Sequence, residues 1–234
     1  PQLLNEGNLD YIMFDYLAEI TMSVMARARA KDPAKGYATD FVTAVITPHA
    51  KSIAQSGIKL IANAGGVNPE ACAAAVRQVL AEQGVKLRVA VITGDNRMDE
   101  LPAIAASQPK DMFSGAPMPS LDKVASVNTY LGAFPIAKAL DAGADIIITG
   151  RVVDSAVTLG ACIYEFGWGA TEWDALASGS LCGHILECGP QTTGGNFTDW
   201  ELAGDIANIG YPSAEVAPDG RFVTTKQPGT SGLV

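Results

Sequence analysis

The chain has 234 residues, 48% of them hydrophobic but only 7% aromatic, with 25 acidic against 16 basic side chains and a net charge of −9. That length gives one large or two small domains with ample core. The acidity, with a pI near 4.6, argues against nucleic acid or an anionic membrane as partner. No apolar run approaches the ~18 residues of a membrane-spanning helix, and no basic-then-apolar leader opens the chain. Cys72, Cys162, Cys182 and Cys188 show no C-x-x-C spacing, so they read as reduced thiols of a cytoplasmic protein, mostly packing, rather than a zinc cluster.

Leu9–Asp15 reads as a first strand ending in an acid. Leu17–Ala30 follows as a helix with Leu17, Ile20, Thr21, Val24 and Ala28 at inward spacing. Glu19 lies in its first turn, where it converges with Asp15 or simply favours the helix dipole. Asp40 caps a short helix with Phe41, Val42, Val45 and Ile46 inward, and Thr47-Pro48 opens a second one to Ser56. Ile58–Ala62 is a strand, Asn63-Ala-Gly65-Gly66 a loop, and Asn68-Pro69 the start of a helix to Gln83. Leu87–Thr93 returns as a strand, which makes a parallel βαβ crossover. The Asn63–Gly66 loop offers N–H groups to an anion at a helix start; a tight turn without ligand is the plainer alternative. It matches neither G-x-G-x-x-G nor a P-loop.

Thr93-Gly94-Asp95-Asn96 repeats the pattern of strand, glycine, acid and amide. Residues Gln108–Lys123 form a long loop, and Asn128–Ala142 a helix kinked or broken at Pro135. Ile146-Ile-Ile148 is a strand covered on both faces, Gly150 turns the backbone, and Asp154-Ser155 caps a helix Ala156–Phe166. Asp15, Asn63, Asp95 with Asn96, and Arg151 with Asp154 thus stand at four strand ends, where α/β folds place their ligands. For Arg151 and Asp154 the bland alternative is a helix cap beside the arginine that pairs with it.

Beyond Phe166 a short helix Thr171–Ser178 leads into a stretch whose glycine density is too high for a regular helix. His184 and Glu187 are spaced i,i+3, but no third ligand is placed by spacing, so a structural histidine competes with a substrate contact. Thr192-Thr193-Gly194-Gly195 is a second candidate anion nest. Ala214–Val216 and Arg221–Thr225 pair as a hairpin around Pro218-Asp-Gly220. The expectation is an α/β protein with a mostly parallel sheet and flanking helices, open and doubly wound rather than a barrel. Residues 1–166 form its core, and residues 167–234 a glycine-rich segment and a small antiparallel ribbon packed on it. Both ends look cut: the chain opens on a helix under way and closes on a glycine turn, so the natural protein is expected to extend beyond both.

Phe14-Asp-Tyr-Leu-Ala-Glu19, Ala62-Asn-Ala-Gly-Gly-Val-Asn-Pro69, Gly150-Arg-Val-Val-Asp-Ser155, Gly183-His-Ile-Leu-Glu-Cys-Gly189, Thr193-Gly-Gly195 and Pro228-Gly-Thr-Ser-Gly232 together resemble the acyclic terpene utilisation AtuA family along essentially the whole chain. The resemblance implies a role in breaking down citronellol- and geraniol-type terpenoids, and more widely in acyl-CoA catabolism; it gives a pathway rather than a mechanism. Where the family suggests Gly-Asp-Asp, this chain has Gly94-Asp95-Asn96, which weakens a metal role there.

Two functions compete. In the first, a lyase, hydrolase or hydratase acts on a branched acyl-CoA or carboxylate. Asp15 or Asp95 is then general base or Mg²⁺ ligand, Arg151 the oxygen clamp, and Asn63, Gly65, Gly66, Asn96, His184, Thr193, Gly194 and Gly195 contact the substrate. In the second, the chain is a non-catalytic binding or assembly subunit of a carboxylase-type complex. A catalytic site requires shifted carboxylates in one closed pocket, whereas a scaffold requires an open apolar patch. The hydrophobic content favours a homo-oligomer in either case.

Overall fold

A computed structural model describes residues 1–234. Its central sheet holds β1 (Tyr11–Phe14), β2 (Lys59–Ala62), β3 (Val89–Ile92) and β4 (Ile146–Thr149), all parallel, in the order β1-β2-β4-β3. Eight α-helices accompany it: α1 (Gln2–Glu6), α2 (Glu19–Lys31), α3 (Thr47–Ser56), α4 (Pro69–Glu82), α5 (Leu101–Ala106), α6 (Phe134–Asp141), α7 (Ala156–Phe166) and α8 (Trp173–Glu187). The strands β5 (Pro212–Val216) and β6 (Phe222–Lys226) form a separate antiparallel pair. The sheet is open, with β1 and β3 at its edges.

Strand periodicity divides the core. Leu60, Ala62, Ile146 and Ile148 face a cluster shared with Phe41, Ile53 and Val76, whereas Ile61, Ile92 and Ile147 face one built from α6 and α7. Both faces are therefore covered, which is why the Ile146–Ile148 run is apolar without alternation. The helix after β2 packs on one face and the helix after β4 on the other. The switch point lies between these two neighbouring strands, where open sheets leave a crevice at their carboxyl ends. Gly65 N–H donates to Thr149 O across that point.

Several expectations change. The β2–α4–β3 crossover is parallel as expected, with β4 entering between its two strands. In α2 the buried residues are Met22 and Ala26, while Ile20 and Val24 are exposed. The helix starts at Glu19 after an extended Ala18, and it packs only against a small cluster with Leu17 and Val67. α3 runs from Thr47-Pro48 to Ser56 as expected, but Thr47 is already helical and caps nothing. A widened π turn, Phe41–Ile46, runs straight into α3, and Thr47 Oγ1 donates to Val42 O at 2.8 Å. Thr47 N–H also donates to Val42 O, five residues back, as a π turn requires. Asn68 does not cap α4 with its side chain; its amide donates to Pro33 O and Lys35 O and so ties down the preceding loop. The helix expected from Asn128 begins at Phe134, with Pro135 in its first turn, and residues 128–131 run extended against Asn96 and Val152.

The largest change is α8, one unbroken helix of 15 residues through Gly179 and Gly183. These glycines do not break it; they let it approach α7. A Cβ on Gly183 would stand 2.5 Å from Ser155 O and 2.8 Å from Ser155 Cα, and one on Gly179 would stand 2.8 Å from Leu159 Cδ1. The hairpin is fixed to this layer by Trp168 Nε1 donating to Pro218 O at 2.9 Å and Ser178 Oγ donating to Gly220 O at 2.5 Å. No helix is long and apolar enough to cross a membrane, and all four cysteines are free, with Cys188 alone exposed.

Candidate active site

Asp15 leaves the end of β1, Asp154 lies in the turn after β4, and Glu187 is the last residue of α8. One oxygen from each lies within 4.8 Å of the others. Each carboxylate is steered there by its neighbours. Asn63, fully buried at the end of β2, donates through Nδ2 to Asp15 Oδ1 and accepts from Tyr16 N at 2.6 Å. Arg151 Nη1 donates to Asp154 Oδ1 at 2.7 Å and to Leu17 O at 2.9 Å. Asp154 therefore pairs with Arg151 instead of capping α7, whose start carries no side-chain cap. Gly183 brings α8 onto Ser155, which carries Glu187 to the same point.

Three like charges this close cannot all be ionised cheaply. Burial, and then the hydrogen bond and negative charge of Asp15, push the Glu187 carboxyl up from 4.5 to about 7. The group thus holds an exchangeable proton at neutral pH. The same oxygens form a donor set that fits a hard divalent cation such as Mg²⁺, which takes carboxylate ligands. Asn63→Ala is expected to cost about 1–3 kcal/mol, because it strips a buried partner from Asp15 and another from Tyr16 N–H. Denaturant unfolding of the variant checks this.

Glu187 was not legible as a site residue; its spacing from His184 drew attention to the histidine instead. His184 Nδ1 lies 3.7 Å from Glu187 Oε1, but the ring is 77% exposed while the glutamate side chain is 13% exposed. The pair shares a helix face as the spacing implies, and the inward member is the acid.

Asp95 lies elsewhere. It ends β3, and two strands stand between it and β1, a separation of about 14 Å at ordinary strand spacing. Its buried carboxylate accepts from Arg151 N at 2.9 Å and Asn128 Nδ2 at 2.8 Å, so it anchors the turn through Gly150 and does not join Asp15 in a metal pair. Asn96 folds its side chain onto Met98 N–H, at 3.0 Å. Glu19 is exposed and apart from the acidic group; it accepts from the Tyr130 hydroxyl at 2.6 Å, which holds its carboxyl below the usual range. The two glycine loops are spent internally. Gly65 and Gly66 N–H donate to Thr149 O and Asn63 O, and Thr193, Gly194 and Gly195 N–H to Pro190 O, Gln191 O and Pro190 O. Neither loop presents the free row of N–H groups that an anion nest needs.

A cavity of about 590 Å³ runs along β1 between α7, α8 and the β5–β6 pair, within the range of small-molecule sites. Asp15 and Glu187 stand at one end of its β1 wall, and Ile12, Met13, Val157, Ala161, Leu186 and Val216 line it. Toward the other end of β1, Tyr11 OH donates to Glu165 Oε1 at 2.5 Å.

An open parallel sheet covered by helices on both faces, with three carboxylates converging at one end of a cavity, defines the chain as an α/β protein. The chain belongs to the acyclic terpene utilisation AtuA family, which it matches over residues 1–234. No curated protein and no solved structure matches it at a significant level.

Proposed function

We propose that this chain carries the acid–base centre of an enzyme in acyclic-terpenoid and branched acyl-CoA breakdown, of lyase, hydratase or hydrolase type. The observation that carries this reading is Glu187. Burial and the neighbouring Asp15 push its carboxyl up to about 7, beside Asp154 and at one end of a cavity of about 590 Å³. A group with that pKa gives and takes protons at physiological pH, the working condition of a general acid–base. Asp15 keeps the proton in place by hydrogen bonding, and Asn63 fixes Asp15. Arg151 orients Asp154. With Mg²⁺ bound, Asp15, Asp154 and Glu187 would hold it, and the ion would polarise a substrate oxygen. Family membership supports the pathway, and the free cysteines fit a cytoplasmic setting.

A second reading, the non-catalytic assembly subunit, draws on Met112 and Phe113, 85% and 88% exposed on the 108–123 loop. Thermal unfolding with CoA, geranyl-type and short branched acyl-CoAs, Mg²⁺, Zn²⁺ and EDTA separates the two. A ligand at ~100-fold its Kd stabilises by about 2.7 kcal/mol. A shift with one acyl-CoA or with Mg²⁺, reduced in Asp15→Asn, is the expected result. No shift with any of them would transfer the assignment to an assembly role.

A further inference from the structure

The Arg151 side chain does more than hold Asp154. It is 3% exposed, and its two hydrogen bonds both leave from Nη1. Nε and Nη2 make none, yet no buried side-chain nitrogen in the protein lacks a partner. Neither of these two donors is therefore fully enclosed, although the side chain as a whole is only 4% exposed. The space that Arg151 lines is a second cleft, of about 400 Å³, between α2 and residues 119–130. The Tyr130 ring lies 4.0 Å from the guanidinium carbon and backs it from one face, and its hydroxyl, with Asp154, favours the charged arginine.

We infer that this cleft is an oxyanion site, for a phosphate or carboxylate group, built on the free edge of Arg151 with Lys123 as its second cation. A guanidinium presents paired N–H donors in one plane, a geometry that matches two oxygens of such a group. Lys123 lines the same cleft and has no acidic partner within ion-pair distance. Ser126 and Ser23 add hydroxyls. Glu19 is the one carboxylate in the lining, and it is engaged by the Tyr130 hydroxyl. Arg151 is paired with Asp154, so Lys123 is the cleft's one cation without an acidic partner, in a chain whose overall charge is −9.

The two cavities divide the labour by charge. The larger one is lined by Glu6, Asp10, Asp15, Glu165, Glu187 and Glu215, with Lys226 as its only cation. It repels an anionic group and accepts a neutral or apolar body. The Arg151–Asp154 pair links the two: Asp154 belongs to the acidic group and Arg151 faces the cleft. A substrate with an apolar body and an anionic handle would place the handle at Arg151 and Lys123 and its reacting atoms at the acids. That last placement rests on the acid–base reading above; the anion site itself does not.

Titration calorimetry at low salt, with inorganic phosphate, acetate, CoA and phosphate-free pantetheine, tests the inference on the wild type, Lys123→Glu, Arg151→Lys and Glu187→Gln. The expected result is binding of phosphate and CoA but not pantetheine. Both cation variants should weaken it tenfold or more, and Glu187→Gln should leave it within about twofold. Acetate binding as well as phosphate, with the same response to the variants, keeps the site and assigns a carboxylate handle. If no anion binds the wild type, or if both cation variants bind as it does, the inference is overturned. If Glu187→Gln keeps full turnover while the anion data hold, the acid–base reading fails alone.

Discussion

Glu187→Gln is expected to make the protein more stable at pH 8 and inactive at once. The folded carboxyl sits at about 7 against an ordinary 4.5, so the folded state binds the proton more tightly than the unfolded chain does. Stability therefore falls as pH rises through the interval from 4.5 to about 7, and above it the ionised glutamate is a standing cost. One pH unit corresponds to about 1.4 kcal/mol, and water access reduces the full effect to about 1–2 kcal/mol. Glutamine carries no charge, and its amide N–H can replace the proton shared with Asp15. Urea unfolding at pH 5 and pH 8 should show a flatter pH dependence in the variant and a higher midpoint at pH 8. Turnover, once the ligand panel has named a substrate, should drop about 10²–10⁴-fold, the usual contribution of a general acid–base. Equal loss of stability at both pH values would mean that Glu187 is a packing residue.

Gly183→Val is expected to lower both stability and site function although residue 183 contacts no ligand. Its Cβ would stand 2.5, 2.8 and 3.0 Å from the O, Cα and C of Ser155, all backbone atoms that no rotamer change can move. Overpacking of that kind costs about 1–3 kcal/mol. It would push α8 away from the start of α7, and Glu187, one helical turn on, would leave Asp15 and Asp154. Gly179→Ala is the informative contrast. Its Cβ would stand 2.8 Å from side-chain atoms of Leu159 and Trp168 rather than from backbone, and alanine regains up to about 1 kcal/mol of helix propensity to offset the adjustment. Near-wild-type melting is expected for Gly179→Ala, and a clear fall for Gly183→Val together with a Glu187 pKa displaced toward 4.5. A Gly183→Val protein with an unchanged Glu187 titration would refute the close-approach account of these glycines.

The local signals were legible where the cause is local. The Ile146–Ile148 run, Gly150, the Ala156–Phe166 helix and the Pro218–Gly220 hairpin all appear as the residue types require. What periodicity could not carry was strand order. Four polar strand ends look equivalent along a chain, but the order β1-β2-β4-β3 puts Asp95 at the far edge and makes it an anchor for Gly150–Arg151. Glycine density misled for a similar reason. Gly179 and Gly183 lower helix propensity locally, while the contacts that make them useful come from Leu159 and Ser155, roughly twenty to thirty residues back in the chain, in α7 and at its start. Glu187 was hidden with them, since its role exists only once α8 is a continuous helix lying on Ser155. The glycine loops erred in the other direction: Gly65, Gly66, Gly194 and Gly195 have the composition of anion nests, but their N–H groups close turns and join strand ends.

The most direct test is a carbon-13 titration of the Glu187 side-chain carboxyl, assigned by comparison with Glu187→Gln. The expected midpoint is near pH 7, moved toward the ordinary 4.5 in Asp15→Asn and lowered again when Mg²⁺ is added to the wild type. A midpoint near 4.5 in the wild type, indifferent to Asp15→Asn and to Mg²⁺, would contradict it and leave the three carboxylates as a solvated surface group.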